Sequence, residues 1–324
     1  MPEADFLLTK IQDLFEDPQA SKLHQVQALW SGYGEIARYR LPASQSFCIT
    51  KHIKLLNTPH HPRAWNTDFS HQRKVSSYYN EQRFYEELAT HCSAQCRVPK
   101  MEASGASSKD IWIIMEDLDA EGLDTRFSNA NLAVAKKCVS WLANFHASFF
   151  AANISAVWPI GTYWFLDTRP EEWQKMQSSN LKDAAKLIDQ RLNNAVYTTL
   201  LHGDAKLANF CFSSDVLHVA AVDFQYVGRG CGVKDLVYFL GSCFDNHQLY
   251  QYMPSMVNAY FIELKRVLSS SLSQCSLESL DEEWRGLIPF AWADFERFLV
   301  GWSPGHKKLN SYSQAQTEMA LGLL

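Results

Sequence analysis

The first third of the chain places its hydrophobic and polar residues in short alternating runs, a pattern typical of β-strands. Between Val26 and Lys54 the extended segments are separated by Gly32-Tyr33-Gly34 and by Leu41-Pro42-Ala43-Ser44, and the third segment begins at Phe47. Glycine and proline between extended segments favour turns. The pattern therefore predicts an antiparallel meander of strands.

Helical spacing begins after this meander. Between Val75 and Ala89 the bulky residues Tyr78, Tyr85 and Leu88 recur at helical offsets, which predicts a helix with one apolar face. The run from Ile111 to Met115 has the apolar composition of a buried strand.

After about residue 117 long helical segments dominate the pattern. We therefore predict an α+β fold in two parts. A small lobe over 1–117 combines an antiparallel sheet with one main helix, and a larger, mostly helical lobe spans 118–324.

A compact stretch of polar residues interrupts the helical region. His202-Gly203-Asp204 is followed by Lys206 and Asn209, and Asp223 ends an apolar strand. An aspartate on such a loop could meet an incoming hydroxyl.

The residues between Asn209 and Asp223 have the pattern of a hairpin. Strands are predicted from Phe210 to Phe212 and from Val216 to Val222, with the turn Ser213-Ser214-Asp215 between them. Such a hairpin returns Asp223 beside Asn209. Carboxylate and carbonyl oxygens then converge, and these are the ligands that Mg²⁺ prefers.

Composition narrows the possible classes of protein. The 324 residues include 30 Lys+Arg and 35 Asp+Glu, which gives a formal net charge of −5. Nucleic-acid-binding proteins show a clustered basic excess, so no nucleic-acid partner is expected. With 47% hydrophobic and 20% charged residues the composition is that of an ordinary folded protein.

The sequence also gives expectations about location. The first residues are acidic and lack the basic and apolar regions of a signal peptide. The uncharged stretch 138–166 contains asparagine, histidine, proline and glycine residues, which do not suit a lipid-facing helix. The 8 cysteines lack the spacing of a disulfide scaffold or of a paired zinc motif. We expect a cytoplasmic protein with no membrane partner.

The pattern HGDxxxxN, followed by Asp223-Phe224-Gln225 on the next hairpin, resembles the protein-kinase-like small-molecule phosphotransferases. The similar branch contains the aminoglycoside phosphotransferases, the choline kinases and the ecdysteroid-kinase-like proteins. The resemblance implies a two-lobed protein-kinase-like fold, with ATP and Mg²⁺ as cofactors. It implies that Asp204 accepts the proton of an alcohol and that Asn209 and Asp223 hold metal. Lys206 then screens the γ-phosphate, with an ordinary salt-bridge lysine as the alternative.

The resemblance also requires a glycine loop, a strand lysine and a helix glutamate in the first lobe. Gly32, Tyr33 and Gly34 are the candidates for the loop. Ala37 stands where the third glycine of the usual motif occurs, and a simple hairpin turn is the alternative.

Lys51 is the predicted strand lysine. Alternation places it on the same face of its strand as Ile49, where an ammonium needs an acidic partner. Glu81 aligns with the apolar face of the predicted helix, whereas Glu86 and Glu87 do not. We predict that Lys51 pairs with Glu81, in preference to Lys54 or another glutamate, and reaches the α- and β-phosphates.

Three further positions resemble the family. The stretch from Ile113 to Leu118 resembles the interlobe hinge, with the Glu116 carbonyl and the Leu118 amide as adenine contacts and an ordinary interlobe strand as the alternative. His146 is expected to be a packed structural residue. Asp235 resembles an aspartate that braces the catalytic loop, and a helix N-cap is the alternative.

Two features favour a small-molecule alcohol over a protein as the acceptor. Gly203 stands where protein kinases carry an arginine, and the segment from Asp223 to Asp235 is short and lacks an APE motif. We expect the acceptor pocket in the helical lobe, with Asp294 and Arg297 more readily a structural pair than a substrate contact. Tryptophans are concentrated in this lobe, although most of them are expected in its core: Trp141, Trp158, Trp164, Trp173, Trp284, Trp292 and Trp302.

We therefore expect an ATP- and Mg²⁺-dependent kinase that moves the γ-phosphate to a hydroxyl of a small molecule. The alternative is a catalytically inactive nucleotide-binding pseudokinase or scaffold. Ala37 and Gln225 favour this alternative, and the retained polar candidates oppose it.

Overall fold

The predicted meander is present and forms part of a larger sheet. The computed structural model describes residues 6–29, 32–55 and 68–324. The first lobe contains a five-stranded sheet in the order β1-β2-β3-β5-β4, and all neighbouring strands in it are antiparallel. Its strands are β1 (Ser21–Ala28), β2 (Gly34–Leu41), β3 (Ser46–Lys54), β4 (Met101–Ala106) and β5 (Asp110–Glu116).

One face of this sheet is covered by a helix that the hydrophobic pattern did not predict. Helix α1 (Phe6–Leu14) places Ile11 in a buried cluster with Cys48 and Ile114. The helix has only 9 residues, so its periodicity is too short to stand out in the sequence.

The predicted helix of the first lobe is confirmed, with different ends. Helix α2 (Asp68–Arg83) begins before Val75 and is followed by a wider π-helical turn, Phe84–Leu88. Its first turns are mostly polar, so apolar spacing did not reveal them. The helix presents Glu81 to the interior of the protein, where it is 2% exposed.

The second lobe is mostly helical, as predicted. Two short two-stranded sheets lie among its helices, one pairing β6 with β9 and the other pairing β7 with β8. Among the described helices, none combines the length and apolar content that a membrane span requires. The elements of this lobe are α3 (Leu132–Ser148), α4 (Pro170–Lys175), α5 (Asn180–Asn193), β6 (Thr199–Leu201), β7 (Phe210–Phe212), β8 (Val219–Ala221), β9 (Gly228–Gly230), α6 (Val233–Cys243), α7 (Asn246–Leu268), α8 (Gln274–Trp302) and α9 (Ser311–Gly322).

The predicted hairpin after Asn209 exists, but its second strand is shorter than expected. Strand β8 begins at Val219 rather than at Val216. Val216 has a φ of +60°, and the backbone N–H of Ser213 donates to the carbonyl of His218, so the turn is longer than predicted. The hairpin still returns the chain to Asn209, because the Val222 N–H donates to the Asn209 carbonyl at 2.9 Å.

An aromatic contact joins the two lobes next to this hairpin. Phe84, which follows α2, stacks on Phe224 with ring centroids 4.1 Å apart, and both rings are fully buried. Stacked aromatic rings stabilise a contact beyond the area that they bury. Since Phe224 adjoins Asp223, this contact fixes that aspartate relative to the first lobe.

Candidate active site

A cavity of about 860 Å³ lies between the sheet lobe and the helical lobe. Strand β3 contributes Lys51 to its lining, α2 contributes Glu81, and the helical lobe contributes Asp204 and Asp223. Lys51 and Asp223 are 172 positions apart in the sequence. The fold therefore gathers into one cavity the charged residues that the sequence singled out.

Lys51 lies at the centre of an interlobe ion pair. Its Nζ is 2.5 Å from Oε2 of Glu81 and 3.3 Å from Oδ1 of Asp223. Lys51 and Glu81 are 4% and 2% exposed, whereas Lys54 and Glu86 face solvent. The predicted pairing of Lys51 with Glu81 is present in the structure.

The charges of this cluster stabilise one another. Burial alone would lower the pKa of Lys51, but Glu81 and Asp223 outweigh it and raise that pKa. Burial alone would raise the pKa of Asp223, but Lys51, Lys206 and Lys74 hold it well below its usual range. Lys51 is therefore a fixed cation and Asp223 a fixed anion at neutral pH.

The loop that carries Asp204 depends on a glycine. Gly203 has a φ of +78°, and a Cβ at this position would lie 2.0 Å from the carbonyl oxygen of Tyr226. Other residues adopt this backbone conformation only with strain. Gly203 thus allows the loop to pass close to the segment that follows Asp223.

Asp235 braces the same loop. Its Oδ2 accepts a hydrogen bond from the His202 N–H at 2.6 Å, and its Oδ1 accepts one from the Gly203 N–H at 3.0 Å. His146 is fully buried between Oδ2 of Asp235, at 3.2 Å, and the Tyr260 hydroxyl, at 2.7 Å. The bracing interpretation of Asp235 and the structural interpretation of His146 are confirmed.

Three side chains hold the Asp204 carboxylate. The Tyr238 hydroxyl donates to Oδ1 at 2.8 Å, and Lys206 Nζ donates to Oδ2 at 2.8 Å. Asn209 Nδ2 donates to the Asp204 carbonyl at 2.8 Å and to Oδ2 at 3.3 Å. The salt bridge considered for Lys206 is present, and its side chain remains 40% exposed at the cavity. The carboxylate is oriented before any ligand binds.

Asn209 and Asp223 offer oxygen atoms that suit Mg²⁺. Because Asn209 uses Nδ2 on Asp204, its Oδ1 remains for a cation. Lys51 and Gln225 occupy Oδ1 of Asp223, which leaves Oδ2. Within the described residues no group of three or more His, Cys, Asp or Glu side chains could hold a metal. The two side chains therefore fit a cation whose other ligands are water or phosphate oxygens.

Asp223 also has an unusual backbone conformation. Its φ is +70°, a value that only a few residues other than glycine show. Strain of this kind concentrates at functional sites, where the surrounding structure maintains it. Here the buried ring of Phe224 and the bond from Gln225 Nε2 to Asp223 Oδ1, at 2.6 Å, hold the residue.

Of the three residues of the predicted glycine turn, Tyr33 is the one among the described lining residues of the cavity. Tyr33 lines the cavity and is packed against Tyr78, with its hydroxyl bonded to His71 Nδ1. Gly34 has a φ of +137°, and a Cβ there would lie 2.0 Å from the His52 carbonyl oxygen. The geometry of the hairpin alone therefore requires a glycine at position 34, which agrees with the alternative interpretation of a simple hairpin turn. A phosphate-binding role for Gly32, Tyr33 and Gly34 stays a prediction.

The predicted hinge also borders the cavity. Glu116 and Leu118 both line it. The Leu118 carbonyl accepts a hydrogen bond from the Leu123 N–H at 2.8 Å, while the Leu118 N–H has no acceptor in the described part of the chain. This N–H is free for an adenine, although contacts from Glu116 and Leu118 to a nucleotide stay a prediction.

The tryptophans of the helical lobe are mostly core residues, as expected. Trp141, Trp164, Trp284 and Trp292 are at most 1% exposed, and Trp302 is the tryptophan among the described lining residues of the cavity. The walls next to Asp204 are instead formed by tyrosines, including Tyr238.

Asp294 and Arg297 form the structural pair that the sequence favoured. Their side chains are fully buried, and Arg297 Nη2 lies 2.7 Å from Oδ1 of Asp294. Neither residue lines the described part of the cavity. They form a buried ion pair inside the lobe and do not belong to the described wall of the cavity.

Sequence reasoning missed three residues of the site. Tyr238 follows Asp235 by one helical turn, so the spacing could have revealed that both face the same loop. From the sequence, Gln225 only favours the pseudokinase alternative, whereas in the structure it joins Asp223 to Lys74, whose Nζ lies 2.7 Å from Oε1 of Gln225. Lys308 lies in the loop after α8, where no periodic pattern indicates which way a side chain faces.

Several solved structures are similar to this chain at low identity. A microcompartment-associated aminopropanol kinase is 15% identical, with a TM-score of 0.49 over 98% of this chain and 93% of that chain. An ethanolamine kinase from Plasmodium vivax is 9% identical, with a TM-score of 0.49 over 94% and 82%. An aminoglycoside phosphotransferase from Streptomyces rimosus, solved with ADP and streptomycin, is 14% identical, with a TM-score of 0.48 over 87% and 98%. No curated protein matches the sequence.

A family model matches the sequence itself. The model of the phosphotransferase enzyme family, APH, matches residues 54–267, which is well over half of the chain. The matched range contains Glu81, Asp204, Asn209 and Asp223. The chain therefore belongs to the APH phosphotransferase enzyme family.

Proposed function

We propose that this protein transfers the γ-phosphate of ATP to a hydroxyl group of a small molecule, with Mg²⁺ as the metal. One observation carries the proposal: Lys51 of the sheet lobe lies 3.3 Å from Asp223 of the helical lobe, in the cavity that Asp204 also lines. Membership of a phosphotransferase family supports the class of reaction.

Asp204 is the residue that we assign to the acceptor hydroxyl. In the transfer, a bond forms between the acceptor oxygen and the γ-phosphorus while the bond from that phosphorus to the bridging oxygen breaks. The electron pair of the broken bond leaves with ADP, and the hydroxyl proton passes to Asp204. Tyr238 and Lys206 orient the carboxylate, and such positioning supplies a large part of catalysis.

Charge neutralisation is the second contribution. Lys51 would bind the α- and β-phosphates, and Lys206 would screen the transferred group. Asn209 and Asp223 would hold the metal, which when bound neutralises phosphate oxygens. Because Lys51 and Gln225 fix the other oxygen of Asp223, this carboxylate needs little rearrangement to receive a cation.

The nucleotide base is assigned to the opposite end of the cavity. The backbone of Glu116 and Leu118 would contact the adenine, since both residues line the cavity and the Leu118 N–H has no acceptor within the described chain. The backbone of Gly32, Tyr33 and Gly34 would approach the phosphates from the β1–β2 turn.

The segment after Asp223 supports a small acceptor. Instead of an extended docking loop, it forms β9, which pairs with β6. The Tyr226 and Arg229 carbonyls accept hydrogen bonds from Thr162 and Gly161, at 3.1 Å and 2.9 Å. A segment bonded on both sides in this way has no free edge to bind a peptide strand.

Phosphate transfer from labelled ATP to a library of alcohols tests the proposal. We expect transfer by the unaltered protein and a loss of at least about 1,000-fold in kcat for Asp223→Ala, because the metal loses a ligand and Lys51 loses one of its two anions. Asp215→Ala is the matched control, since Asp215 lies in the exposed turn of the same hairpin and should leave kcat unchanged. Near-normal transfer by Asp223→Ala would contradict the assignment. Nucleotide binding without transfer to any alcohol would instead indicate a pseudokinase.

A further inference from the structure

The cavity continues beyond Asp204 into a space lined by aromatic rings. Tyr163 lies with its ring centroid 5.7 Å from that of Tyr238 and 5.8 Å from that of Tyr226. Phe295 completes this wall, 5.1 Å from Tyr238. Since the Tyr238 hydroxyl bonds to Asp204, the space adjoins the proposed catalytic carboxylate. A molecule whose hydroxyl meets Asp204 would place its remaining atoms here.

A lysine ammonium lies on this aromatic wall. Nζ of Lys308 is 4.5 Å from the ring centroid of Tyr238 and 5.3 Å from that of Phe295. In the described part of the chain no carboxylate lies within 4.0 Å of this nitrogen. Lys308 thus differs from Lys51 and Lys206, which each have an acidic partner at the cavity.

Contact with the two rings does not explain this position. An aromatic ring attracts a cation above its face only weakly. Lys308 is partly buried, and withdrawing an ammonium even in part from water is unfavourable unless an anion compensates it. Burial lowers the pKa of Lys308 to about 8 even though Asp204 attracts its charge, so the protein alone solvates this ammonium poorly.

Two guanidinium groups also line this end of the cavity, and carboxylates lie near both of them. Arg73 donates from Nη1 to the Thr168 carbonyl at 2.5 Å, and Arg169 Nη1 lies 3.4 Å from Glu172 Oε1. Burial and the nearby Arg169 lower the pKa of Arg73 to about 10. Two guanidinium groups and Lys308 therefore line a region of a protein whose net charge is −5. Glu171 and Glu172 act on these guanidinium charges, whereas Lys308 has no carboxylate within 4.0 Å in the described chain. An anionic acceptor would therefore be attracted to Lys308, and a cationic one would be repelled from it.

We infer that the acceptor is a hydroxy compound with an acidic group, a carboxylate or a phosphate, and that Lys308 binds this group while the hydroxyl meets Asp204. The inference rests on the proposed function and adds the chemical class of its acceptor. Lys308 is then a specificity-determining residue. The hydroxyl and the acid must be separated by about the length of one tyrosine ring, because Asp204 bonds to the hydroxyl of Tyr238 and Lys308 lies over its face.

Four probes that share one skeleton test this inference. They are para-(hydroxymethyl)benzoate, para-(hydroxymethyl)phenylphosphonate, the neutral para-(hydroxymethyl)benzamide and the cationic para-(hydroxymethyl)benzylamine. Steady-state transfer from ATP gives kcat and KM for each probe, and calorimetry gives the affinity without turnover. We expect the benzoate or the phosphonate to bind at least about tenfold more tightly than the amide, and the amine to bind most weakly.

Two variants distinguish the effect of Lys308 from the effect of removing any positive charge from the same loop. Lys308→Met should raise KM for the acidic probes about 30-fold, with little change in kcat or in the KM for the amide. Lys307→Met is the matched control, because Lys307 is exposed on the same loop and should change neither constant. Preference between benzoate and phosphonate identifies the acidic group.

The outcomes distinguish this inference from the proposed function. Transfer to the amide or amine in preference to both acids, or equal effects of Lys308→Met and Lys307→Met, would overturn the inference and leave the proposed function standing. If no probe is phosphorylated, the calorimetric affinities decide alone. Acid binding that Lys308→Met weakens supports the inference, and acid binding no tighter than that of the amide overturns it.

Discussion

The two ends of the interlobe cavity balance their charges in different ways. At the nucleotide end Lys51 faces Glu81 and Asp223, and Arg38 faces Asp117 at 2.5 Å. At the acceptor end Lys308 has aromatic neighbours and, in the described chain, no carboxylate within 4.0 Å. The protein therefore supplies the counter-charges of Lys51 and Arg38 at one end, whereas at the other end it leaves the charge of Lys308 to be compensated by a ligand.

This difference follows from what each end is proposed to do. A site for transferred phosphate works best when its charges are fixed before the reaction, since reorganisation then costs little. A site that selects an acceptor needs a group whose energy depends on which molecule is bound. An incompletely compensated cation is such a group, because an acid stabilises it and an amine does not.

Removal of Lys51, at the nucleotide end of the cavity, should have the largest effect. Lys51→Met leaves Glu81 buried without its cation, and breaking a buried pair in this way costs about 3–5 kcal/mol. We expect the free energy of unfolding to fall by about this amount in urea denaturation followed by circular dichroism, and phosphate transfer to be lost. Arg126→Met, which breaks the exposed pair with Asp119, should change stability by less than about 1 kcal/mol.

A double variant sharpens this prediction. Lys51→Met combined with Glu81→Met removes both buried charges, so stability should recover in part while transfer remains absent. A double variant no more stable than Lys51→Met would show that the pair is not the source of the lost stability.

Loss of the Tyr238 hydroxyl should have an intermediate effect on phosphate transfer. It should change a different kinetic constant from the one that loss of Lys308 changes. Tyr238→Phe removes one hydrogen bond to Asp204, worth about 1 kcal/mol, and keeps the ring beneath Lys308. We expect kcat to fall about fivefold and the KM of an acidic acceptor to stay unchanged. Lys308→Met should do the reverse. If both variants change the same constant, the two ends do not act separately.

The smallest expected effect is a pH dependence at the acceptor end. Lys308 is protonated below its pKa of about 8 and loses its charge above it, so kcat/KM for an acidic acceptor should fall as the pH rises from 7 to 9. The groups that act on Lys308 are Asp204, Lys206, Lys307 and Cys243, and burial raises the pKa of the Cys243 thiol to about 12, so this thiol stays neutral.

Lys308→Arg provides the control for this profile, because a guanidinium keeps its charge over the whole range. Its kcat/KM for the acidic acceptor should stay level between pH 7 and 9. The profile of the unaltered protein with the neutral amide should also stay level. An equal fall for the acid and the amide would assign the titration to another group.

The sequence predicted the parts of this molecule that depend on local pattern. Strand alternation and helical spacing located Lys51 and Glu81 on facing surfaces, and the spacing of Asp204, Asn209 and Asp223 located the loop and the hairpin. These predictions succeeded because a burial pattern fixes which way a side chain faces within one element. The short helix α1 was missed, since it has too few turns for a periodic signal.

The acceptor end could not be predicted in the same way. Tryptophans were the expected aromatic groups, but tyrosines from separate segments line this end and most tryptophans pack in the core. Lys308 lies in an irregular loop, so its position over Tyr238 depends on how α8 packs on α6. Contacts between distant segments are set by tertiary packing, and no local pattern encodes them.

A competition assay tests the central claim most directly. The para-substituted benzoate, amide and benzylamine are mixed in equal amounts with ATP, Mg²⁺ and the unaltered protein, and the phosphorylated products are quantified by mass spectrometry. Their ratio equals the ratio of the kcat/KM values and does not depend on the fraction of active protein. We predict that the phosphorylated benzoate is at least about tenfold more abundant than either other product. A majority of phosphorylated amide or benzylamine would contradict the account.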